Sequence, residues 1–317
     1  MRTSIEPTNR LFEEDFSIGS GKPTSYQAVH CGAKGNLITH KFRIYPNVQQ
    51  ERILSETLET CRRLYNNLLA DRNQNGIGFY EQKKKLVSLK RDNKYLKSVF
   101  SQVLQDLVLR LDKAFQSFFK RLMRHPKFQR LGRFNSFSYP QSGFKLKGSK
   151  LYLSKIGNIK VVLHRKISGI IKRVSVIRDI DQWFVAFAVV EENSGLPSSP
   201  ESAVGIDRGL RNIAALSDGT IIENPHHLKQ SMEKIKSLQR NFSRKEKGSG
   251  NRDRARIKLA KVWRKVRRQR EDFCHKLSYN ITIKNNTIVF EDLRIPNMVR
   301  NHNLASAIMD ATWAGCA

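Results

Sequence analysis

An apolar run that ends in a single carboxylate with glycines on either side, Ala203-Val204-Gly205-Ile206-Asp207-Arg208-Gly209-Leu210, constrains this chain more than any other stretch. A strand built this way presents an acid at its tip without neighbouring side chains crowding the approach. Asp207 is therefore the first candidate metal ligand. Residues Arg211 to Ile222 continue with a second apolar run, an Asp218-Gly219 pair of the kind that closes a tight hairpin, and a third strand. Far downstream, Thr287-Ile288-Val289-Phe290-Glu291-Asp292-Leu293 repeats the strand-then-acid part of the design and reads as a buried strand ending in an acid. One such motif alone is usually no more than a turn. Two of them, separated by a hairpin and a long helical segment, predict a sheet in which acids from its first and fourth strands meet at one edge.

Charge narrows the partners. The chain holds 58 Lys and Arg against 28 Asp and Glu, a net +30. Such an excess repels itself unless a polyanion offsets it, so a nucleic acid is the expected partner. A membrane is not expected, since no apolar stretch approaches the roughly 18 residues that span a bilayer. The N-terminus has no apolar core of the signal-peptide kind, and a cytoplasmic, nucleoid-associated protein is expected. The four cysteines, Cys31, Cys61, Cys274 and Cys316, include no C-x-x-C pair, so neither a disulfide framework nor a zinc site is expected. Cys61 and Cys274 sit at helical apolar positions and read as buried thiols.

Taken in order, residues 1–36 carry Gly19-Ser20-Gly21-Lys22-Pro23 and no sustained period, and read as a disordered tail. From Ile38 to Ile44 one face is apolar and the other basic, a half-buried strand. Residues 47–125 then turn helical. Asn47 and Gln50 have capping spacing, followed by Ile53, Leu54, Leu58, Cys61, Leu64, Tyr65 and Leu68 at helical intervals. A short basic helix spans Glu81 to Lys90. A long one, from about Ser98 to Met123, has an apolar face running from Val103 to Leu122. Its Phe115, Phe118 and Phe119 could stack on bases, but they recur with leucines at helix period, which is the mark of core packing.

Beyond Pro126 come short β-prone runs, Phe134 to Tyr139, Gly143 to Leu146, Lys150 to Leu153, Ile159 to Leu163, Lys172 to Ile177 and Trp183 to Val190. They predict a small antiparallel β-barrel over residues 37–46 and 126–192, with the helical bundle as an insertion. Arg124, Lys127, Arg130 and Arg133 are interleaved with Phe128, Phe134, Phe137 and Tyr139. Cations for phosphates with aromatics for bases suit an RNA surface, and solvated loop charge is the plainer alternative. Residues 193–200 form a linker, Pro- and Ser-rich, and residues 201–317 form the acid-bearing α/β domain.

Within that domain, residues 226–280 hold two helices broken at Gly248-Ser249-Gly250. Residues 229–276 contain 18 Lys or Arg against five Asp or Glu. Arg264, Lys265, Arg267, Arg268 and Arg270 come almost without a break and read as cations lacking acidic partners one turn away, hence as a contact for nucleic-acid backbone. Engaging six phosphates would give a log-log salt slope of about −4 to −5.

These motifs, in this order, resemble the TnpB, or OrfB, proteins of bacterial insertion sequences, relatives of the type V CRISPR effectors. The resemblance runs from Phe42-Arg43-Ile44-Tyr45-Pro46 and Cys61-Arg62-Arg63-Leu64-Tyr65-Asn66 through Ser136-Phe137-Ser138-Tyr139-Pro140. It continues in Gly205-Ile206-Asp207-Arg208-Gly209-Leu210, Val289-Phe290-Glu291-Asp292-Leu293 and Ile308-Met309-Asp310-Ala311-Thr312-Trp313, covering residues 38–313. It implies a transposon-encoded, RNA-guided DNA endonuclease, annotated in that family as a transposase, with a guide RNA and a double-stranded DNA target as partners. It implies an α+β multidomain fold, a wedge β-barrel interrupted by a helical recognition lobe, then an RNase H-like (RuvC) domain. Mg²⁺ (or Mn²⁺) would be held by Asp207, bridging two ions, and by Glu291, holding one.

In that family the domain continues into a zinc ribbon and a third acid, whereas this sequence stops at Ala317 and Asp310 matches a helix position instead. Asp292 points to the opposite side of its strand from Glu291. An incomplete RuvC domain without zinc, impaired in cutting, is the expectation. A catalytically silent RNA-guided DNA-binding remnant and a plain RNA-binding protein are the alternatives. A transposase of the three-acid DDE type is not expected, because no third acid follows Glu291 at a suitable distance.

Overall fold

The computed structural model describes residues 36–191, 202–291 and 293–311. The expected tail, apart from Asn36, and the expected linker at 193–200 lie outside the described residues, as does Asp292.

Strand β1 (Asn36–Tyr45) opens the described chain. Helix α1 (Val48–Asn75) follows, and its start is fixed by the spacing read above. Gln50 N donates to Asn47 Oδ1 at 2.8 Å and Asn47 N donates to Gln50 Oε1 at 3.0 Å, a reciprocal cap. The helix stops where Gly76 takes φ 64°, the left-handed conformation that glycine adopts without strain. Helices α2 (Phe79–Asp92), α3 (Lys94–Ser98) and α4 (Ser101–Phe119) complete the insertion. Leu54, Leu58, Cys61, Leu64, Tyr65 and Leu68 are buried, as are Val103, Leu104, Leu107, Leu111 and Phe115 of α4. The expected apolar face of that helix ends early, however. The α-helix closes at Phe119, Arg121 turns to φ 58°, and Phe119 and Leu122 stand 72% and 74% exposed. Periodicity in the sequence outlasts the helix because it does not register where the backbone reverses.

Six strands follow, β2 (Ser136–Tyr139), β3 (Phe144–Lys147), β4 (Lys150–Leu153), β5 (Gly157–Val162), β6 (Ile170–Asp179) and β7 (Gln182–Glu191). With β1 they form one antiparallel sheet in the order β2-β6-β7-β1-β5-β4-β3. The strand before the helices is thus near the middle of the sheet, with Phe42 opposite Val185 and Ile44 opposite Val161, and the helices are an insertion between β1 and β2. Alternate residues bury Phe42, Ile44, Leu151, Ile159, Val174, Val176, Val185, Phe187 and Val189 against the helical stripe in one continuous core. Each such side chain contributes about 1.5–3 kcal/mol by leaving water.

The sheet is a curled, open half-barrel where a small antiparallel barrel was expected: β2 and β3 end the order and do not pair with each other. The start of α4 holds the loop between them. Phe100 stacks on Tyr139, centroids 5.8 Å apart, and lies against Gly143, while Ser142 N donates to Gln102 Oε1 at 3.0 Å. That loop is therefore tied to the helix, and the two strand edges are not brought together.

Cys61 is a buried free thiol, and burial pushes its pKa up to about 12. Cys274, expected as a second buried thiol, is disulfide-bonded.

The remaining chain forms β8 (Ala203–Asp207), β9 (Asn212–Leu216), β10 (Ile221–Glu223), α5 (His227–Ser243), α6 (Gly250–Thr282), β11 (Thr287–Phe290), α7 (Ile295–Met298) and α8 (His302–Ala311). The second sheet has the order β10-β9-β8-β11. Among the described residues, no helix is long and apolar enough to cross a membrane.

Candidate active site and nucleic-acid interface

The Asp218-Gly219 pair closes the β9–β10 hairpin as read: Gly219 takes φ 85° and Thr220 N donates to Asp218 Oδ1 at 2.8 Å. β9 pairs antiparallel with β8, and β8 pairs parallel with β11. The parallel register runs Ala203 to Thr287, Val204 to Ile288, Gly205 to Val289 and Ile206 to Phe290. One residue further along each strand stand Asp207 and Glu291. Neighbouring strands lie about 4.7–4.9 Å apart, and residues level with one another in a parallel pair face the same side. Two sequence motifs more than eighty residues apart are thereby brought to one edge, both acids exposed to solvent.

The flanking glycines differ. A Cβ on Gly209 would fall 2.9 Å from the Asn212 carbonyl oxygen, a backbone atom that cannot give way cheaply, so this turn requires glycine. On Gly205 it would meet only the Ser217 side chain, at 3.7 Å, an ordinary contact. Gly205 instead uses its backbone, accepting from Ser217 N at 2.9 Å and donating to Ser217 Oγ at 3.0 Å.

Arg208 carries a role that the sequence did not reveal. Its Nη2 donates to the backbone oxygen of Glu291, and its guanidinium lies 5.2 Å from the centroid of the Phe290 ring. The signal was present only as a cation next to the candidate acid.

Asp310 is elsewhere in the chemistry. It is buried on α8, where it accepts from Leu228 N at 3.1 Å and Arg270 Nη2 at 2.8 Å. Among the described residues no group of three or more His, Cys, Asp or Glu is placed to hold an ion, so Asp207 and Glu291 stand as a pair.

The two basic regions fare differently. Arg124, Lys127, Arg130 and Arg133 are exposed on the segment between α4 and β2. That segment is pinned to α1 through Gln129, whose N donates to Asn66 Oδ1 at 2.8 Å and whose O accepts from Asn66 Nδ2 and Arg62 Nη1, each at 3.0 Å. Of the aromatics interleaved with these cations, Phe128 is exposed, while Phe134, Phe137 and Tyr139 belong to the core and offer no stacking face.

The run on α6 is not unpaired. Arg264 is buried and donates to Asp179 O at 2.8 Å and Asp181 Oδ1 at 2.7 Å. Arg267 and Arg268 reach Asp179 Oδ2 at 3.0 and 3.1 Å, and Arg270 reaches Asp310. Arg267 also has Glu271 one turn on, at 3.8 Å. Lys265 alone of the five is fully on the surface. Asp179 and Asp181 come from the β6–β7 hairpin tip, more than eighty residues away, and Asp310 from α8, which is why counting along one helix missed them, whereas Glu271 lies one turn from Arg267 on the same helix. Four of the five cations thus bind acids of the protein itself, three of them fastening α6 to the first sheet.

Burial pushes the Asp181 carboxyl up, but hydrogen bonds from Lys261 and Arg264 outweigh it and hold the pKa at about 2, below the usual carboxylate range. The bound form is charged, so the stabilisation is complete above the unfolded value and is lost as pH falls through about 2. Acid titration of the melting temperature between pH 4 and 2 is expected to fall less steeply in Asp181→Asn than in the parent. Equal slopes would deny the clamp its charge.

A family model described as "Probable transposase" matches residues 187–302, the part that carries both acids, and one described as "Helix-turn-helix domain" matches residues 36–85, which hold β1, α1 and the first half of α2. The protein named "Putative RNA-guided DNA endonuclease InsQ" of Escherichia coli (strain K12) is 31% identical over 271 residues, 82% of this chain and 67% of the relative. The chain belongs to the TnpB/OrfB family. A second relative, "Putative RNA-guided DNA endonuclease" of Streptomyces pristinaespiralis, is 32% identical over 286 residues, 86% of this chain and 71% of the relative. Homologues of this TnpB/OrfB chain thus carry transposase and RNA-guided endonuclease names.

Proposed function

We propose that the chain is an RNA-guided, metal-dependent DNA endonuclease of the TnpB type, with Asp207 and Glu291 as the acids of a RuvC-like cutting centre on an RNase H-like sheet. The observation that carries this reading is the parallel β8–β11 register, which pairs Ile206 with Phe290, the residues immediately before the two acids, at neighbouring strand ends. Two hard carboxylates with open solvent around them fit Mg²⁺ or Mn²⁺, which keep several waters and share their shell with substrate phosphates. Bound there, the ion would supply a Lewis acid for the scissile phosphate and an activated water. Asp207 and Glu291 would hold it; Gly209 keeps the turn beside them free of a side chain. Arg124, Lys127, Arg130, Arg133 and Lys265 are the exposed cations through which guide RNA and double-stranded target DNA would be gripped by their phosphates, without reading sequence.

The test is to purify the chain without nuclease treatment, sequence the RNA it carries, and offer DNA matched to that RNA in Mg²⁺. A discrete RNA and cuts in matched DNA only are expected. No RNA of defined sequence would make the chain a plain nucleic-acid binder. Matched binding without cuts in Mg²⁺ or Mn²⁺ would make it a silent, guided one.

A further inference from the structure

We propose that Arg208 is a positioning residue that ties the Glu291 strand tip to the Asp207 tip and so makes one metal site out of two carboxylates; this rests on the cutting-centre reading above. β11 has only four residues and is the end strand of the described sheet, with Val289 61% and Phe290 51% exposed. A short, exposed edge strand frays, and it frays from whichever end lacks a tie. The N-terminal end of β11 is tied, since Asn286 N and Thr287 N both donate to Ser202 O, at 2.9 and 3.1 Å. Glu291 stands at the other end; its carbonyl oxygen accepts from Leu293 N at 3.1 Å within its own segment, and the tie to the end of β8 is Arg208 Nη2 on that same oxygen.

Two further observations single out this guanidinium. It lies on the Phe290 ring, a cation over an aromatic face, which holds the exposed ring as well as the backbone beside it. Its Nε is buried and has no hydrogen-bond partner among the described residues. An arginine free to optimise its own bonding near a surface would turn outward; this one forgoes a bond to keep its pose.

The experiment compares Arg208→Ala, Arg208→Lys and Asp207→Asn with the parent, each as the full chain with its copurified RNA. Hydrogen exchange at the Phe290 and Glu291 amides is followed without metal, Mn²⁺ binding by electron paramagnetic resonance, and cutting of matched DNA as Mn²⁺ is raised. Loss of an outer partner of a metal ligand typically costs 10–100-fold in metal affinity or activity. Arg208→Ala is expected to speed exchange at β11 about tenfold, to weaken Mn²⁺ binding about tenfold, and to recover its cutting at high Mn²⁺. Arg208→Lys, which keeps one donor but not the planar fork, is expected to fall between. Unchanged exchange and unchanged Mn²⁺ affinity in Arg208→Ala, with Asp207→Asn silent, would overturn the role of Arg208 alone. Asp207→Asn cutting and binding Mn²⁺ like the parent would instead overturn the cutting centre itself. Should Arg208→Ala fail to fold, Arg208→Lys decides, since parent-like exchange and Mn²⁺ affinity there would also overturn the role.

Discussion

Asp207→Asn is expected to lower the single-turnover rate of guided DNA cleavage by about 10²–10³-fold or more, the scale on which loss of one preorganised electrostatic group is felt. The substitution keeps the size of the side chain and removes its charge, so what it tests is the hard anionic donor. Asp207 is exposed at the end of β8, beyond the buried Val204, and surface replacements of this kind usually move stability within about 0.5 kcal/mol. A melting temperature close to the parent is therefore expected alongside the lost rate. Glu291→Gln should behave in the same way. The double variant should be scarcely worse than either single one, because groups that hold one ion act as a unit and their losses do not multiply. Rates that multiplied would mean two independent roles. A single variant cutting at the parental rate would remove these acids from the chemistry.

The two strand ends were legible because each is a local design, an apolar run ending in an acid, and the first adds a glycine that the Asn212 carbonyl requires at position 209. The strands of the first sheet were legible for the same reason, since alternation and turn glycines are written within a few residues. What could not be read from residues close in sequence was partnership at long range. Arg264 and Asp181 are 83 residues apart and Arg268 and Asp179 are 89, and no periodicity links them. The basic run consequently looked like free charge for a polyanion, although most of it is engaged by acids within the chain. The apolar face of α4 was over-extended for the opposite reason, because spacing carries on through Leu122 while the backbone turns at Arg121. Openness of the first sheet was likewise set by a contact between distant segments, Phe100 with Gly143 and Tyr139.

The function of the basic residues therefore divides by depth. Arg124, Lys127 and Arg130 stand exposed to solvent, whereas α6 spends its arginines on β6–β7 and α8. A basic helix can be a structural spine and still raise the long-range field that steers a polyanion toward the protein. Its contribution to nucleic-acid binding is then expected in association rates more than in direct contacts.

Asp310→Ala is expected to destabilise the second half of the chain by about 3–5 kcal/mol, the usual consequence of removing one partner from a buried ion pair. Helix α5 begins at His226, which sits at φ 48° and makes no side-chain cap bond. The cap comes from α8 instead: Asp310 accepts from Leu228 N at 3.1 Å and Lys229 N at 3.4 Å, a carboxylate at the positive end of a helix. The same carboxylate takes Arg270 Nη2 at 2.8 Å, with the Arg270 side chain only 18% exposed. Alanine deprives two amides and a buried guanidinium at once. Asp310→Asn retains an oxygen for the amides and loses the charge, so about 1–3 kcal/mol is expected, as for a hydrogen bond to a charged group. Thermal melting of the two variants gives the order. Cleavage then separates support from chemistry, because Asp310→Asn should cut within about tenfold of the parent below its melting temperature, where Asp207→Asn does not. An Asp310→Asn protein with parental stability and no cutting would place that acid among the metal ligands and undo its assignment to the start of α5.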